Sequence, residues 1–343
     1  MKHLLNTLYI LSEDIYLSLD GENVVANREK QAVARYPLHT LQNIITFSYS
    51  GTSPALMGAC AERQIGFAFC TPRGKFLARV CGEGGGNVLL RRSQYRAADD
   101  PDQCCQISRT MIFGKLFNAR WSMERTRRDH GLRVDSDRLV AASQQIYGLL
   151  SQVKEADSPE ELRGLEGVGA SAYFGVFNEM ILGDKDAFSF HRRSRRPPLD
   201  AVNAMLSFAY SLLAHDCASA LESAGLDSYV GFLHRDRPGR TSLALDLMEE
   251  LRPCMADRFV LTLINNRQVK ASDFLYMESG AVLLTDDGRK AFLKSWQEKK
   301  KEMLTHPYLG EKLPWGMIPY VQALLLARYL RGDLDAYPPF LWK

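Results

Sequence analysis

The sequence predicts an α+β protein, in which a small N-terminal β-sheet domain is followed by a larger all-α domain. With 343 residues, 46% of them hydrophobic, the chain exceeds the length at which one core usually keeps growing. Apolar residues follow the pattern of short strands before Val80 and the period of helices after Asn87. Residues 82–87 contain four glycines in six positions, which favours a hinge. The predicted domains are therefore 1–86 and 87–343.

Short runs of β-forming residues, separated by turn signals, predict the strands of the first domain. They cover residues 8–10, 15–18, 24–26, 31–36, 44–49, 65–71 and 75–80. The turn signals lie at Asp20-Gly21, at Ser50-Gly51 and at 72–74. One helix is predicted up to Glu62, because Ser53 is a suitable N-cap and Pro54 suits the first helical position.

Capping residues predict the ends of several helices in the second domain. Ser158 is expected to cap a helix that has Pro159 in its first position, with Glu161 completing a capping box. A long helix over 199–224 should end at Gly225, and another should run from 242 to 252, before Pro253. The chain is then expected to be mostly helical as far as 330, with an interruption at 312–315. The aromatic tail, residues 333–343, should dock on the protein or meet a partner.

The distribution of charge favours a polyanionic partner. The net charge of +3 is uninformative, but positive residues are clustered in 107–133, in 191–196 (HRRSRR) and in 294–301. The chain has no apolar run of about 18 residues and no secretory signal pattern, so we expect a cytoplasmic protein without membrane contact. Seven scattered cysteines without a C-x-x-C pair predict reduced thiols, several of them in the core.

Three acids share one face of the helix predicted at 242–252. At 100° per residue, Asp246, Glu249 and Glu250 fall within about 100° of one another. Like charges at this spacing repel, and a cation between them would reverse the cost. On pattern alone, a solvated acidic face remains the more common explanation.

His234 and Glu166 could complete a site with these acids. His234 ends a short apolar run and precedes the loop RDRPGR at 235–240, so a short turn could return it to the acidic helix and form a mixed nitrogen and oxygen metal site. A packed or surface histidine is an equal alternative. Small residues surround Glu166 and would let a phosphate backbone approach, or would equally serve close helix packing. The 14 tyrosines leave a covalent tyrosine recombinase open, although it would not explain the acids.

Three separated motifs resemble one known family. They are LEGVGASAYF around Glu166, RRPPLDAVNAMLSFAY at 195–210, and GFLHRDRPGRTSLALDLMEELRP at 231–253. Together they resemble the CRISPR-associated endonuclease one, the integrase of spacer acquisition, and the resemblance extends over essentially the whole chain.

The resemblance implies roles for particular residues. In that family a Glu, a His and an Asp or Glu bind Mg²⁺ or Mn²⁺, and the matching positions here are Glu166, His234 and Glu249. Asp246 matches a further catalytic acid, and both Asp246 and Glu250 compete with Glu249 for the third ligand position. Asn203 and Tyr210 match supporting polar positions. The arginines implied to line the DNA path are Arg192, Arg193, Arg195, Arg196, Arg235, Arg237 and Arg240.

The resemblance also implies a function and an assembly. The expected activity is metal-dependent cleavage and strand transfer that inserts short foreign DNA segments into a CRISPR array. The expected partners are double-stranded DNA, a second copy bound through the β-rich domain, and a smaller adaptation protein in a heterohexameric complex. The alternative is a non-catalytic DNA-binding scaffold of the same fold, whose salt-sensitive DNA binding would be indifferent to a chelator.

Overall fold

The computed structural model describes residues 7–41, 43–63, 65–71, 76–80, 82 and 88–343. The chain divides into two compact units. One comprises Met1–Gly85 with Arg289–Glu302, and the other comprises Gly86–Gly288 with Met303–Lys343. The turn predicted at 72–74 and all of the predicted hinge except Gly82 lie outside the described residues, so the hinge stays a prediction.

The strands of the first unit confirm the sequence prediction. They are β1 (Thr7–Ile10), β2 (Tyr16–Asp20), β3 (Asn23–Arg28), β4 (Gln31–Pro37), β5 (Asn43–Thr46), β6 (Gly66–Cys70) and β7 (Phe76–Val80). β2, β3 and β4 form an antiparallel sheet. A second sheet has the order β1-β5-β6-β7, in which β5 is parallel to both β1 and β6.

Helix α1 (Pro54–Glu62) connects the parallel strands β5 and β6. Parallel neighbours need such a crossover, because a tight turn can join only antiparallel strands. As predicted, Ser53 caps α1, and its hydroxyl accepts a hydrogen bond from the Leu56 N–H at 3.2 Å. Leu56 is fully buried against Ile44 and Phe67 of the second sheet, so α1 covers that sheet and closes the core of the unit.

Helices dominate the second unit. They are α2 (Val88–Asp99), α3 (Pro101–His130), α4 (Ser136–Glu155), α5 (Pro159–Gly175), α6 (Ala201–Ser223), α7 (Ser242–Leu251), α8 (Arg258–Asn265) and α10 (Ile318–Leu330). Most of α9 (Asp286–Lys301) belongs to the first unit. The long helix α3 packs against α4, α5 and α7, while α7 also packs against α6. Among the described helices, none is both long and apolar enough to cross a membrane.

The structure confirms the α+β class and corrects three details. The second unit is not all-α, because two short hairpins interrupt its helices: β8 (Phe274–Tyr276) with β9 (Val282–Leu284), and β10 (Met303–Thr305) with β11 (Lys312–Pro314). The chain does not leave the helical path before Pro253, since a π-helical turn, Arg252–Asp257, joins α7 to α8. Ser158 caps α5 as predicted, but the Glu161 carboxylate accepts from the Asp157 N–H rather than from Ser158.

Candidate active site

The three acids of α7 are buried. Asp246 and Glu250 are 0% exposed and Glu249 is 3% exposed. The solvated acidic face that the pattern alone favoured is therefore wrong. Because burying an uncompensated charge is costly, each carboxylate needs partners of its own, and those partners distinguish the three acids.

Asp246 orients His234. Its Oδ2 accepts hydrogen bonds from the backbone N–H groups of Phe232 at 2.6 Å and Leu233 at 3.0 Å. Its Oδ1 accepts from the His234 N–H at 3.0 Å and lies 2.5 Å from His234 Nδ1. Since an ionised carboxylate can only accept a hydrogen bond, the proton of this contact is on His234 Nδ1. The other ring nitrogen, Nε2, lies 3.9 Å from Glu249 Oε1. A histidine held this way by a carboxylate has the orientation usual for a metal ligand.

Lys115 joins Glu166 to Glu249. Its ammonium group donates a hydrogen bond to Glu166 Oε1 and lies 2.7 Å from Glu249 Oε2. The three residues come from α3, α5 and α7, which meet at this point. The Lys115 side chain is 10% exposed, whereas that of Glu166 is 28% exposed. The cluster is therefore buried on the α7 side and reaches solvent at Glu166.

Positive neighbours keep Glu249 ionised. Burial alone would raise its pKa, but Arg252 and Lys115 outweigh that effect and lower the pKa to about 2. Arg252 Nη2 lies 3.2 Å from Glu249 Oε1, one helical turn further along the chain. Glu249 is thus a charged acceptor at neutral pH despite its burial.

Glu250 faces a different part of the molecule, the C-terminal tail. Its Oε1 accepts from the Tyr337 hydroxyl and from Gln322 Nε2, the latter at 3.0 Å. Its Oε2 accepts from the Phe340 N–H at 2.8 Å. Both oxygens are occupied by the tail and α10, so Glu250 is not available as a ligand beside His234. The aromatic tail docks on its own chain, one of the two outcomes that the sequence left open.

The donor set suits a hard divalent cation. Two carboxylates and an imidazole are ligands that Mg²⁺ and Mn²⁺ accept, and the buried Glu249 Oε2 lies 2.7 Å from the Lys115 ammonium group, so this oxygen already faces a cation. In the described part of the chain, however, no three His, Cys, Asp or Glu side chains stand close enough together to hold a metal ion. The Lys115 ammonium accounts for this, because it lies between Glu166 and Glu249. The residue types suit such an ion, but Glu166 and Glu249 are arranged around Lys115 in this structure.

A cavity of about 30 Å³ borders Lys115 and Glu166. Tyr210 lines it, between the guanidinium groups of Arg193 and Arg252, which lie 5.2 Å and 5.0 Å from its ring centre. The Tyr210 hydroxyl donates to Asp257 Oδ1 at 2.5 Å. Tyr210 therefore lies beside Lys115 and Glu166, and its ring, with two guanidinium groups close to it, forms part of the cavity wall.

Asn203 anchors the loop that contains HRRSRR. The fully buried side chain accepts from Arg193 Nη1 at 2.6 Å and from the Ser194 N–H at 3.0 Å, and it donates to the Arg192 carbonyl at 2.8 Å. Arg193 also donates to Ser207 Oγ at 3.1 Å. Arg193 was expected to contact DNA, but its guanidinium group donates hydrogen bonds to Asn203 and Ser207 inside the protein.

The other predicted DNA-contacting arginines lie in the loops before α6 and α7. Arg235 pairs with Glu160 at 2.6 Å, and Arg195 lines the cavity beside Glu166. Arg240 is half-buried. The exposed members of the set are Arg192, Arg195, Arg196, Arg235 and Arg237.

The basic cluster at 107–133 is not a free positive surface. It forms most of α3, and each of its seven positive side chains has a partner within the protein. Arg109, Arg125 and Arg133 donate to backbone carbonyls, and Lys115, Arg120, Arg127 and Arg128 pair with carboxylates. Charge counting could not show that these side chains are held by contacts within the protein, but backbone carbonyls do not neutralise a guanidinium charge, so part of the positive charge of the cluster remains.

Two residues important to this geometry were missed by sequence reasoning. Lys115 was counted only as one charge of a cluster, and no local pattern links it to Glu166, 51 positions away. At Gly231 no larger residue fits, because an added Cβ would lie 2.7 Å from Asp246 Oδ2 and 2.9 Å from Ser242 Cβ. The signal that could have found Gly231 is its position just before the His234 turn.

Glycines near Glu166 have different surroundings. A Cβ on Gly169 would lie 2.3 Å from Leu116 Cδ2, so this glycine lets α5 pack closely on α3. A Cβ on Gly164 or Gly167 would meet nothing within 4 Å, so the surface there is open. Helix packing thus explains Gly169, while the approach of a phosphate backbone at Gly164 and Gly167 stays a prediction.

Comparison with known proteins gives concordant matches. The family model for CRISPR associated protein Cas1 matches residues 8–298. A CRISPR-associated endonuclease Cas1 of Rhodospirillum rubrum is 50% identical, and the match covers 100% of both chains. A solved casposase bound to integration product has a TM-score of 0.84 at 22% identity, covering 98% of this chain and 94% of that one. A chain of a Cas6-RT-Cas1–Cas2 complex has a TM-score of 0.80 at 22% identity, covering 98% and 36%.

The family match and the relative at half identity agree with the three motifs that carried the resemblance. The match spans both the strand-rich region and the helices that carry Glu166, Asn203 and Glu249. The chain belongs to the CRISPR-associated Cas1 family.

Proposed function

We propose that this Cas1-family protein is a divalent-metal-dependent DNA endonuclease and integrase that inserts short foreign DNA segments into a CRISPR array. The observation that carries the proposal is the orientation of His234 by Asp246 toward an ionised Glu249, with Glu166 joined to Glu249 through Lys115. The names of the curated relatives and of the casposase neighbour support the same reaction class.

Glu166, His234 and Glu249 would hold Mg²⁺ or Mn²⁺. The bound ion would stabilise the negative charge that builds on a phosphodiester under attack by a 3′-hydroxyl. Asp246 keeps the His234 ring in place and leaves Nε2 as the donor atom. Arg252 preserves the negative charge of Glu249 by pairing with Oε1, whereas Lys115 contacts Oε2. The 28% exposure of Glu166 leaves an approach for a DNA backbone.

The exposed arginines of the two loops would position the DNA through its phosphates rather than read its bases. The working assembly would contain double-stranded DNA, a homodimer formed through the β-rich domain, and a smaller adaptation protein, together a heterohexamer. The solved Cas6-RT-Cas1–Cas2 complex, one chain of which shares this fold, supports a small partner of that kind.

Strand transfer and cleavage of a labelled DNA duplex, with Mg²⁺, Mn²⁺ or EDTA, tests the proposal. We expect product only with the metals and a loss of about 100-fold or more in Glu166→Gln and His234→Ala, since both would remove ligands. Glu278→Gln is the matched control, because Glu278 is an exposed acid of the same unit. Undiminished activity in Glu166→Gln or His234→Ala would contradict the site.

The second candidate is a non-catalytic DNA-binding scaffold of the same fold. The ion pairs of Lys115 favour it, because they give both Glu166 and Glu249 a positive partner without any metal. In that case DNA binding would fall with rising salt, EDTA would not affect it, and no cut or joined product would form.

A further inference from the structure

We infer that Lys115 is a built-in counterion of the metal site, which holds Glu166 and Glu249 until a divalent cation displaces its ammonium group. The inference rests on the proposed function, because it requires that these two carboxylates bind a metal. It assigns to Lys115 the control of metal loading.

The geometry sets Lys115 apart from an ordinary surface ion pair. Its ammonium group contacts both carboxylates, and the side chains of Lys115 and Glu249 are only 10% and 4% exposed. Exposed ion pairs contribute little, whereas a buried charge that loses its partner is costly. The metal-free site therefore depends on Lys115 for charge balance.

A metal ion and the ammonium group cannot occupy this position together. A cation shared by both acids would coordinate oxygens that Lys115 now contacts, at about 2.1 Å for Mg²⁺. The positive charges of the ion and of the lysine would then repel each other across a short, poorly solvated distance. Arg252 can remain, because it binds the other oxygen of Glu249. Lysine is suited to the displacement, since its charge sits on a flexible four-carbon stem.

The space next to Lys115 determines what the displaced ammonium group meets. The adjoining cavity is lined by three arginines, Arg193, Arg195 and Arg252, and by two acids, Glu166 and Asp257, so positive side chains are in excess there. A further positive charge there is unfavourable unless an anion accompanies it. A DNA phosphate is such an anion, so Lys115 would couple metal binding to DNA binding.

Calorimetric titration of the full chain with Mn²⁺, without DNA, tests the inference. Lys115→Met should bind Mn²⁺ about tenfold more tightly than the wild type, because no charge-assisted hydrogen bonds have to be broken. Lys115→Arg keeps the positive charge and should bind no more tightly than the wild type. Lys154→Met is the matched control, because Lys154 is an exposed lysine that lies over the Phe113 ring at 5.2 Å.

A second set of Mn²⁺ titrations contains a short DNA duplex at saturating concentration. The duplex should increase the Mn²⁺ affinity of the wild type and should change the Mn²⁺ affinity of Lys115→Met much less. Thermal unfolding in EDTA checks each variant, and Lys115→Gln replaces Lys115→Met if the latter does not fold. Equal Mn²⁺ affinity of the wild type and the neutral variant would overturn the counterion role.

Glu166→Gln separates this failure from failure of the metal site. If Mn²⁺ binding disappears in Glu166→Gln while neutral Lys115 variants bind like the wild type, only the counterion role is wrong. If the wild type binds no Mn²⁺, or if Glu166→Gln binds it equally well, the proposed metal site is wrong and the counterion role falls with it.

Discussion

Glu249 and Glu250 are adjacent glutamates of one helix, yet their surroundings differ in charge. Both are buried, and burial raises the pKa of a carboxyl group. Around Glu249 the cations Arg252 and Lys115 outweigh burial and lower the pKa to about 2. Around Glu250 the partners are neutral, among them Tyr337, and burial keeps the pKa raised at about 7. The counter-charge, not the residue type or the degree of burial, decides the state of each acid.

The helix explains how neighbours reach such different regions. Successive residues of an α-helix point about 100° apart, so Glu249 faces α3 and α5 while Glu250 faces the tail. Gly114 makes room on the tail side, because a Cβ there would lie 3.0 Å from Glu250 Cβ and 3.2 Å from Pro339 Cβ. One face of α7 thus carries the proposed chemistry, and another holds the end of the chain.

Glu249→Gln and Glu250→Gln test this division most strongly. Glu249→Gln should lower strand transfer by about 100-fold or more, because it would remove a charged metal ligand. Glu250→Gln should stay within a few-fold of the wild-type rate, because Glu250 does not face the proposed metal site, but it should lower stability, since the amide can accept at only one of the two oxygen positions. Rates measured under the same Mn²⁺ conditions decide between them. A large loss in Glu250→Gln alone would reverse the roles of the two acids.

Asp246→Asn should have the next largest effect. An amide can replace the carboxylate in accepting backbone hydrogen bonds, but it can also present an N–H to His234 and so favour the wrong ring tautomer. We expect a loss of about 10-fold to 100-fold in activity, typical of a group that orients a ligand. Mn²⁺ affinity should fall in parallel. Wild-type activity and affinity in Asp246→Asn would show that His234 does not need this support.

Gly231→Ala should destabilise the turn that delivers His234. The added Cβ would lie 2.7 Å from Asp246 Oδ2 and 2.9 Å from the Ser242 carbonyl carbon, so the backbone must shift. Overpacking of this kind costs about 1–3 kcal/mol in the free energy of unfolding. Gly148→Ala in α4 is the control, because its Cβ would meet nothing within 4 Å. Denaturant unfolding should show a lower midpoint only for Gly231→Ala.

The smallest expected effect is on the pH dependence of stability, and it arises from His306, which packs near the C-terminal tail. His306 is buried, with Nδ1 accepting from the Leu309 N–H at 3.2 Å and Nε2 lying 3.1 Å from Gln322 Oε1. Burial lowers the pKa of His306 below its usual value, although Gln322 and Glu311 act in the opposite direction. At His306 the folded state therefore binds fewer protons than the unfolded state, so the contribution of His306 to stability should fall as the pH drops below about 6.5, whereas Glu250, with its raised pKa, acts in the opposite direction.

His306→Gln measures that contribution. Denaturant unfolding at pH 7.5 and at pH 5.5 should show a smaller loss of stability on acidification for the variant than for the wild type. An equal or larger loss for the variant would mean that His306 does not take up the protons.

Local signals allowed much of the fold to be predicted. The strands of the first unit and the caps at Ser53 and Ser158 were predicted correctly, because period and capping depend on residues only a few positions apart. The hairpins formed by β8–β9 and β10–β11 were missed, since three-residue strands carry almost no periodic signal. The domain boundary at 86/87 and the ligand set stay predictions.

By itself the sequence determined the family, the α+β class and the candidates Glu166, His234 and Glu249. Only the tertiary structure decided how the candidates divide their roles: Asp246 orients His234, Glu250 holds the tail, and Lys115 joins the two remaining acids. The physical reason is distance along the chain. Charge compensation occurs between helices that are remote in sequence, such as α3 and α5, and no local pattern records which of them will meet.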